Sequence, residues 1–82
     1  MNIIIYTKQG CPWCDDALAL LRDKGVAFTE KECRNSTENF DELVQKSGQT
    51  LTPTLDIDGE ILADSDAPAI AVYLKAKGVE GF

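Results

Sequence analysis

The chain has no histidine, one methionine, one tryptophan and only three cysteines among its 82 residues. It is also poor in positive charge: 8 Lys and Arg stand against 14 Asp and Glu, for a formal net charge of -6. With its basic residues scattered, it lacks the stripe that phosphate binding needs, so nucleic acid is not an expected partner. The acidic surface reads as a solvated one that favours solubility and suits basic partner patches. No stretch approaches the ~20 apolar residues of a membrane span, so no membrane association is expected. Met1-Asn2-Ile3-Ile4-Ile5 has neither the basic start nor the apolar length of a secretory leader. An odd number of cysteines does not fit a secreted disulfide framework, which points to a reducing cytoplasmic setting. Structural zinc takes four ligands, and Cys11, Cys14 and Cys33 without histidine do not supply them, so no metal is expected. Repeats, linkers and low-complexity segments are absent too. The expectation is one domain over residues 1–82, monomeric, with a modest core and room for one site.

What is present is order. Residues 2–7 form an Ile-rich apolar run that reads as a buried strand, followed by the polar loop Thr7-Lys8-Gln9-Gly10. Pro12 suits a first helical turn. Cys14, Ala17, Leu18 and Leu21 recur on one helical face, Leu20 widens it, and Gly25 marks the helix end. Val26–Glu32 reads as a second, more polar strand at an edge. Asn35 or Ser36 caps a second helix whose apolar side is Phe40, Leu43 and Val44, ended by Ser47-Gly48-Gln49. A third strand runs from Thr52 to Ile57 with Pro53 near its start. Asp58-Gly59 signals a hairpin, and Glu60–Ala63 is its return strand. Ser65 is expected to cap a last helix carrying Ile70, Val72, Tyr73 and Leu74, closed by Gly78. The order is β-α-β-α-β-β-α, an α/β fold with a mixed four-stranded sheet and helices on both faces.

Cys11-Pro12-Trp13-Cys14 carries the chemistry. A pair of thiols two residues apart, placed between a strand and a helix, suits a dithiol that opens and closes as a disulfide. Cys11 at the N-cap is expected to receive an N–H from Trp13 or Cys14, and it stands at the positive end of the helix dipole. Lys8 adds positive charge nearby, while Asp15 and Asp16 oppose it; the hydrogen bonds are expected to win, which makes Cys11 the attacking thiolate. Cys14 faces inward with Ala17 and Leu18, so it is expected to be the resolving thiol. Half a zinc site and a purely structural pair are the other readings of a CxxC. Cys33 reads as a small, semi-buried residue, with glutathionylation or dimer formation as the sharper alternatives.

Lys8-Gln9-Gly10-Cys11-Pro12-Trp13-Cys14 resembles the active-site segment of dithiol glutaredoxins, and the likeness continues through Thr52-Pro53-Thr54 and Leu62-Ala63-Asp64-Ser65-Asp66. The resemblance implies a thioredoxin-like fold with Pro53 cis and facing the CxxC. It implies catalytic Cys11 and Cys14, no bound cofactor, and glutathione as co-substrate. It further implies a glutathione site made by Lys8, Trp13, Thr52, Pro53, Ser65 and Asp66. In that site Lys8 takes the glycine carboxylate and Ser65 and Asp66 the γ-glutamyl end. Trp13 stands where the family usually has Tyr and reads either as a groove wall or as a half-exposed loop aromatic. The family often has Gly-Gly where this chain has Ala63-Asp64. An acidic residue there fits two relatives: the thioredoxin-reductase-dependent electron donors of ribonucleotide reductase, and the N-terminal domain of glutathione transferases.

The expectation is therefore a thiol–disulfide oxidoreductase acting on protein or glutathione mixed disulfides, with a potential of about -200 to -230 mV. Its partners are glutathione, disulfide-containing proteins, and in the alternative thioredoxin reductase or ribonucleotide reductase. A glutathione-ligated iron–sulfur carrier and a non-catalytic binding domain are the rival classes; Pro12 stiffens the loop and argues against the former.

Overall fold

Ile3, Ile5 and Ile4, Tyr6 alternate along the first strand, and both sets are apolar, which requires cover on both faces of the sheet. The computed structural model describes residues 1–82 and supplies that cover. Its elements are β1 (Ile3–Thr7), α1 (Pro12–Asp23), β2 (Thr29–Glu32), α2 (Thr37–Ser47), β3 (Thr54–Ile57), β4 (Glu60–Leu62) and α3 (Ala67–Ala76). The sheet order is β2-β1-β3-β4. β1 runs parallel to β2 and antiparallel to β3, and β3 pairs antiparallel with β4. Ile5 lies opposite Leu55, and Leu55 opposite Leu62, so one apolar row crosses three strands.

On one face, Ile3, Ile5, Leu55 and Ile57 pack with Ala17, Leu18 and Leu21 of α1 and Ile70 and Leu74 of α3. On the other, Tyr6 joins Cys33 and Leu43 of α2, flanked by Ile4 and Phe40. The helical face expected for α1 is the buried one: Cys14, Ala17, Leu18 and Leu21. Two expected apolar residues face outward instead. Val44 is 36% exposed and Val72 70%, because each lies off the stripe set by Leu43 or by Ile70 and Leu74.

Several boundaries differ from the sequence reading, each for a local reason. β2 begins at Thr29, not Val26. The Gly25 N–H donates to the Arg22 carbonyl and the Val26 N–H to the Leu21 carbonyl, the paired bonds of a Schellman motif, so Val26 ends α1 rather than starting a strand. Gly25 takes φ 68°, as that motif requires. β3 begins at Thr54, since Pro53 has no N–H for the ladder.

The last helix is capped by Asp66, not Ser65. The Asp66 carboxylate accepts the Ala69 N–H at 3.1 Å. Pro68, lacking an N–H, sits between them, and the Ser65 N–H is spent on the Pro53 carbonyl at 2.8 Å. Asp66→Ala is expected to lower stability by about 1 kcal/mol, measured by urea unfolding. Ser65→Ala removes no cap and is expected to cost less than half of that.

Candidate functional site

The turn after β1 delivers the thiols. Gly10 takes φ 85°, a conformation open to glycine, and the Cys11 N–H closes the turn on the Lys8 carbonyl at 3.1 Å. Cys11 is then the N-cap of α1, with Pro12 in the first turn. Its Sγ accepts the Cys14 N–H at 3.2 Å, so of the two expected donors Cys14 is the one used. The Cys11 S–H points to the Thr52 carbonyl and the Thr52 hydroxyl to the sulfur, both at 3.8 Å. Cys11 is half-buried.

Cys14 is 1% exposed. Burial, reinforced by the Cys11 sulfur beside it, pushes its thiol up to about 11. All three cysteines are free, so the structure describes the dithiol form. This sets a stability window. An unfolded cysteine titrates near ~8.5, and between there and about 11 the unfolded chain has lost a proton that the folded chain keeps. Stability therefore falls as pH rises through that window, and the full contribution is present below it. Reduced protein is expected to lose urea resistance from about pH 8.5 upward, and Cys14→Ala to lose less over the same range.

Cys33 belongs to the opposite face of the sheet. It is buried with Tyr6 and Leu43, and its S–H points to the Lys31 carbonyl at 3.4 Å. Burial, then the Glu32 charge, raises its thiol too. No cluster of three or more Cys, Asp or Glu side chains is placed to hold a metal ion.

Beside Cys11 lies an open groove of about 400 Å³ lined by Trp13, Leu51, Thr52, Pro53, Asp64 and Asp66. The Thr52–Pro53 bond is cis. The loop after β4 is strapped to this segment: Asp64 donates its N–H to the Thr54 hydroxyl at 3.1 Å and Ser65 its N–H to the Pro53 carbonyl. Trp13 is 62% exposed and forms one wall.

Of the site residues expected from sequence, Trp13, Thr52, Pro53 and Asp66 therefore meet in one groove. Ser65 backs it through its main chain, and its hydroxyl turns to the Ala63 carbonyl at 3.4 Å. Lys8 does not line this groove. Its ammonium donates to the Thr50 carbonyl at 2.6 Å and lies 5.9 Å from the Phe40 ring. It borders a second cleft of about 340 Å³, shared with Cys33, Arg34, Thr37 and Phe40.

Two contributors escaped the sequence reading, Leu51 and Glu32. Leu51 completes the groove together with Asp64, the acidic residue that stands where the family often has glycine. Glu32, at the end of β2, clasps the active-site turn to the loop after β2. Its carboxylate accepts the N–H groups of Gln9, Arg34 and Asn35 at 2.8 to 2.9 Å. Those bonds hold the carboxyl below the usual range, against the cost of desolvation.

Comparison with known proteins agrees with this architecture. A family model described as Glutaredoxin matches residues 3–62. Glutaredoxin 3 of Escherichia coli K12 is 38% identical over 65 residues, covering 79% of this chain and 78% of that protein. The solution structure of glutaredoxin from Brucella melitensis superposes with a TM-score of 0.68 at 31% identity, covering 95% of this chain and 82% of that one. The crystal structure of the thioredoxin-like protein BC3987 superposes with a TM-score of 0.78 at 27% identity, covering 85% of this chain and 96% of that one.

Proposed function

The chain belongs to the glutaredoxin family of thiol oxidoreductases, and from that premise we propose that Cys11 and Cys14 reduce protein and glutathione mixed disulfides with glutathione as the reductant. The observation that carries this reading is the asymmetry of the pair. Cys11 is accessible and held by a main-chain N–H, whereas Cys14 is buried with a thiol near about 11.

The Cys11 thiolate attacks one sulfur of a substrate disulfide, forms a mixed disulfide, and expels the other sulfur as thiolate. Cys14 gives up its proton to solvent and attacks the Cys11 sulfur. The second substrate sulfur leaves and is protonated, and the protein is left with a Cys11–Cys14 disulfide. Two glutathione molecules reduce it and become glutathione disulfide, so two electrons pass from glutathione to substrate. The low reactivity of a protonated Cys14 gives a bound mixed disulfide time to exchange with glutathione before resolution.

An extended ligand would lie along Thr52, which is outside the β-ladder and whose carbonyl faces the Cys11 sulfur. Trp13, Pro53, Ser65 and Asp66 belong to the same binding segment in this reading. Lys8, with Arg34 across the second cleft, would meet an anionic group on the far side. The whole of residues 1–82 acts as one monomeric domain in a reducing compartment, without nucleic acid or membrane as partner. No helix is long and apolar enough to cross a membrane.

A second reading is favoured by one observation. Asp64 puts a carboxylate in the groove, which suits a protein reductase better than the γ-glutamyl carboxylate of glutathione. Two assays separate these: disulfide reduction with glutathione, glutathione reductase and NADPH, and with thioredoxin reductase and NADPH. Turnover in the first is expected. Turnover only in the second overturns the glutathione assignment and leaves the dithiol standing.

A further inference from the structure

The groove beside Cys11 carries one sign of charge. Its lining includes Asp64 and Asp66 and no lysine or arginine. The N–H groups of Asp64 and Ser65 bond elsewhere within the protein and so do not offset these two carboxylates, while that of Ala69 meets the Asp66 carboxylate alone. Lys8, the cation of the active-site turn, is held by the Thr50 carbonyl and borders the other cleft.

Asp64 is the informative member. Only two non-glycine residues have positive φ, Asp58 at 51° and Asp64 at 49°. That left-handed region disfavours side chains in general, and Asp and Asn tolerate it best. Asp58 has a structural return: its carboxylate accepts the Asn2 N–H at 2.7 Å, and it sits in the turn between β3 and β4. The Asp64 carboxylate has no return of that kind. Only its main chain is tied down, and it enters none of the three ion pairs. An outlying backbone conformation whose side chain does nothing for the fold, at the rim of a reactive groove, is a pointer to recognition.

We propose that Asp64, together with Asp66, makes this groove select disulfide substrates that carry a basic side chain next to the reacting cysteine. The inference rests on the dithiol reading above and adds the chemistry of the protein substrate. An extended segment joined to Cys11 along Thr52 brings its neighbouring side chains to the rim, where Trp13 and Leu51 take apolar parts and the two carboxylates take the cation. Reaction follows the same balanced exchange: the Cys11 sulfur bonds to the peptide sulfur, and the partner thiolate leaves.

The test uses two peptides, identical except for Lys or Glu on both sides of a single cysteine, each as its mixed disulfide with 2-mercaptoethanol. Pre-reduced protein is mixed with each in excess, and the fluorescence of Trp13, the one tryptophan, reports the reaction. Each rate is divided by that of the same peptide with dithiothreitol, which removes its intrinsic reactivity. The Lys peptide is expected to react about tenfold faster at low ionic strength, falling to about twofold at ~0.5 M salt as screening sets in. Asp64→Asn, which keeps the shape, and Asp64→Gly, which relieves the backbone, are each expected to cut the low-salt ratio by about threefold. Equal rates for the two peptides at low salt, or a ratio that neither variant moves, overturns the proposal. Reaction with neither peptide overturns the dithiol reading and this inference with it.

Discussion

Cys11→Ser is expected to abolish disulfide reduction, a fall of at least about 10³-fold, because a serine hydroxyl at the same N-cap cannot supply a thiolate. The helix loses little by the change, since serine is itself a good N-cap. The variant should therefore melt close to the wild type, which separates lost chemistry from lost fold. Cys14→Ser is expected to behave differently. It keeps the attacking sulfur, so glutathione mixed disulfides still turn over, within about tenfold of the wild-type rate, by a second glutathione attacking the Cys11 adduct. Intramolecular protein disulfides stall, because the internal resolving thiol has gone, and a covalent Cys11–substrate adduct accumulates. Coupled NADPH oxidation with the two substrate types, plus intact-mass analysis of the stalled species, reads all of this. A Cys11→Ser protein that still reduces disulfides would move the reaction elsewhere, to Cys33 or to no cysteine at all.

Leu55→Ala is expected to carry the largest cost in stability. Leu55 is fully buried in the central strand β3, opposite Ile5 on one side and Leu62 on the other. Its truncation leaves a void between the sheet and the layer of α1 and α3, at a cost of about 2–5 kcal/mol. A chain of 82 residues has only about 4–12 kcal/mol in total at ~0.05–0.15 kcal/mol per residue. The melting temperature is thus expected to drop by about 10 °C or more. Val72→Ala, on the exposed face of α3, is the control and should stay within about 0.5 kcal/mol. Comparable effects from the two would mean that the core is not the layer described above.

The fold was legible because its strongest signals are local. The Cys14, Ala17, Leu18, Leu21 stripe sits where the helical period puts it, and the double-sided run Ile3–Tyr6 announces a central strand. β2 looked polar enough for an edge, and it is one. The errors arose where two short-range devices compete for the same residues. A Schellman ending and a strand start both fit Val26, and a serine and an aspartate both fit the cap of α3. The first is settled locally, by the Val26 N–H on the Leu21 carbonyl; the second depends on a more distant partner, since the Ser65 N–H is claimed by the Pro53 carbonyl.

The site was legible in a different way. The CxxC spacing and its place before a helix follow from the residues themselves, whereas the groove was reached only through the family resemblance. Trp13, Thr52 and Asp66 come from three separate segments, and Leu51 and Asp64 join them through the strap between the Pro53 segment and the loop after β4. Nor does sequence show where the Lys8 ammonium goes, because its acceptor is a main-chain carbonyl 42 positions away. Glu32 carries no motif; three N–H groups from two loops give it its role.

The central claim is that Cys11 and Cys14 form one redox couple that exchanges with glutathione, and that Cys33 stands outside it. Equilibration of the protein with graded mixtures of glutathione and glutathione disulfide, followed by acid quenching, alkylation and peptide mass analysis, tests this directly. The account predicts a Cys11–Cys14 disulfide that appears in a single two-electron transition at about -200 to -230 mV, with Cys33 alkylated throughout. A disulfide that includes Cys33, or a Cys11–Cys14 pair that never closes across the whole range, would contradict it.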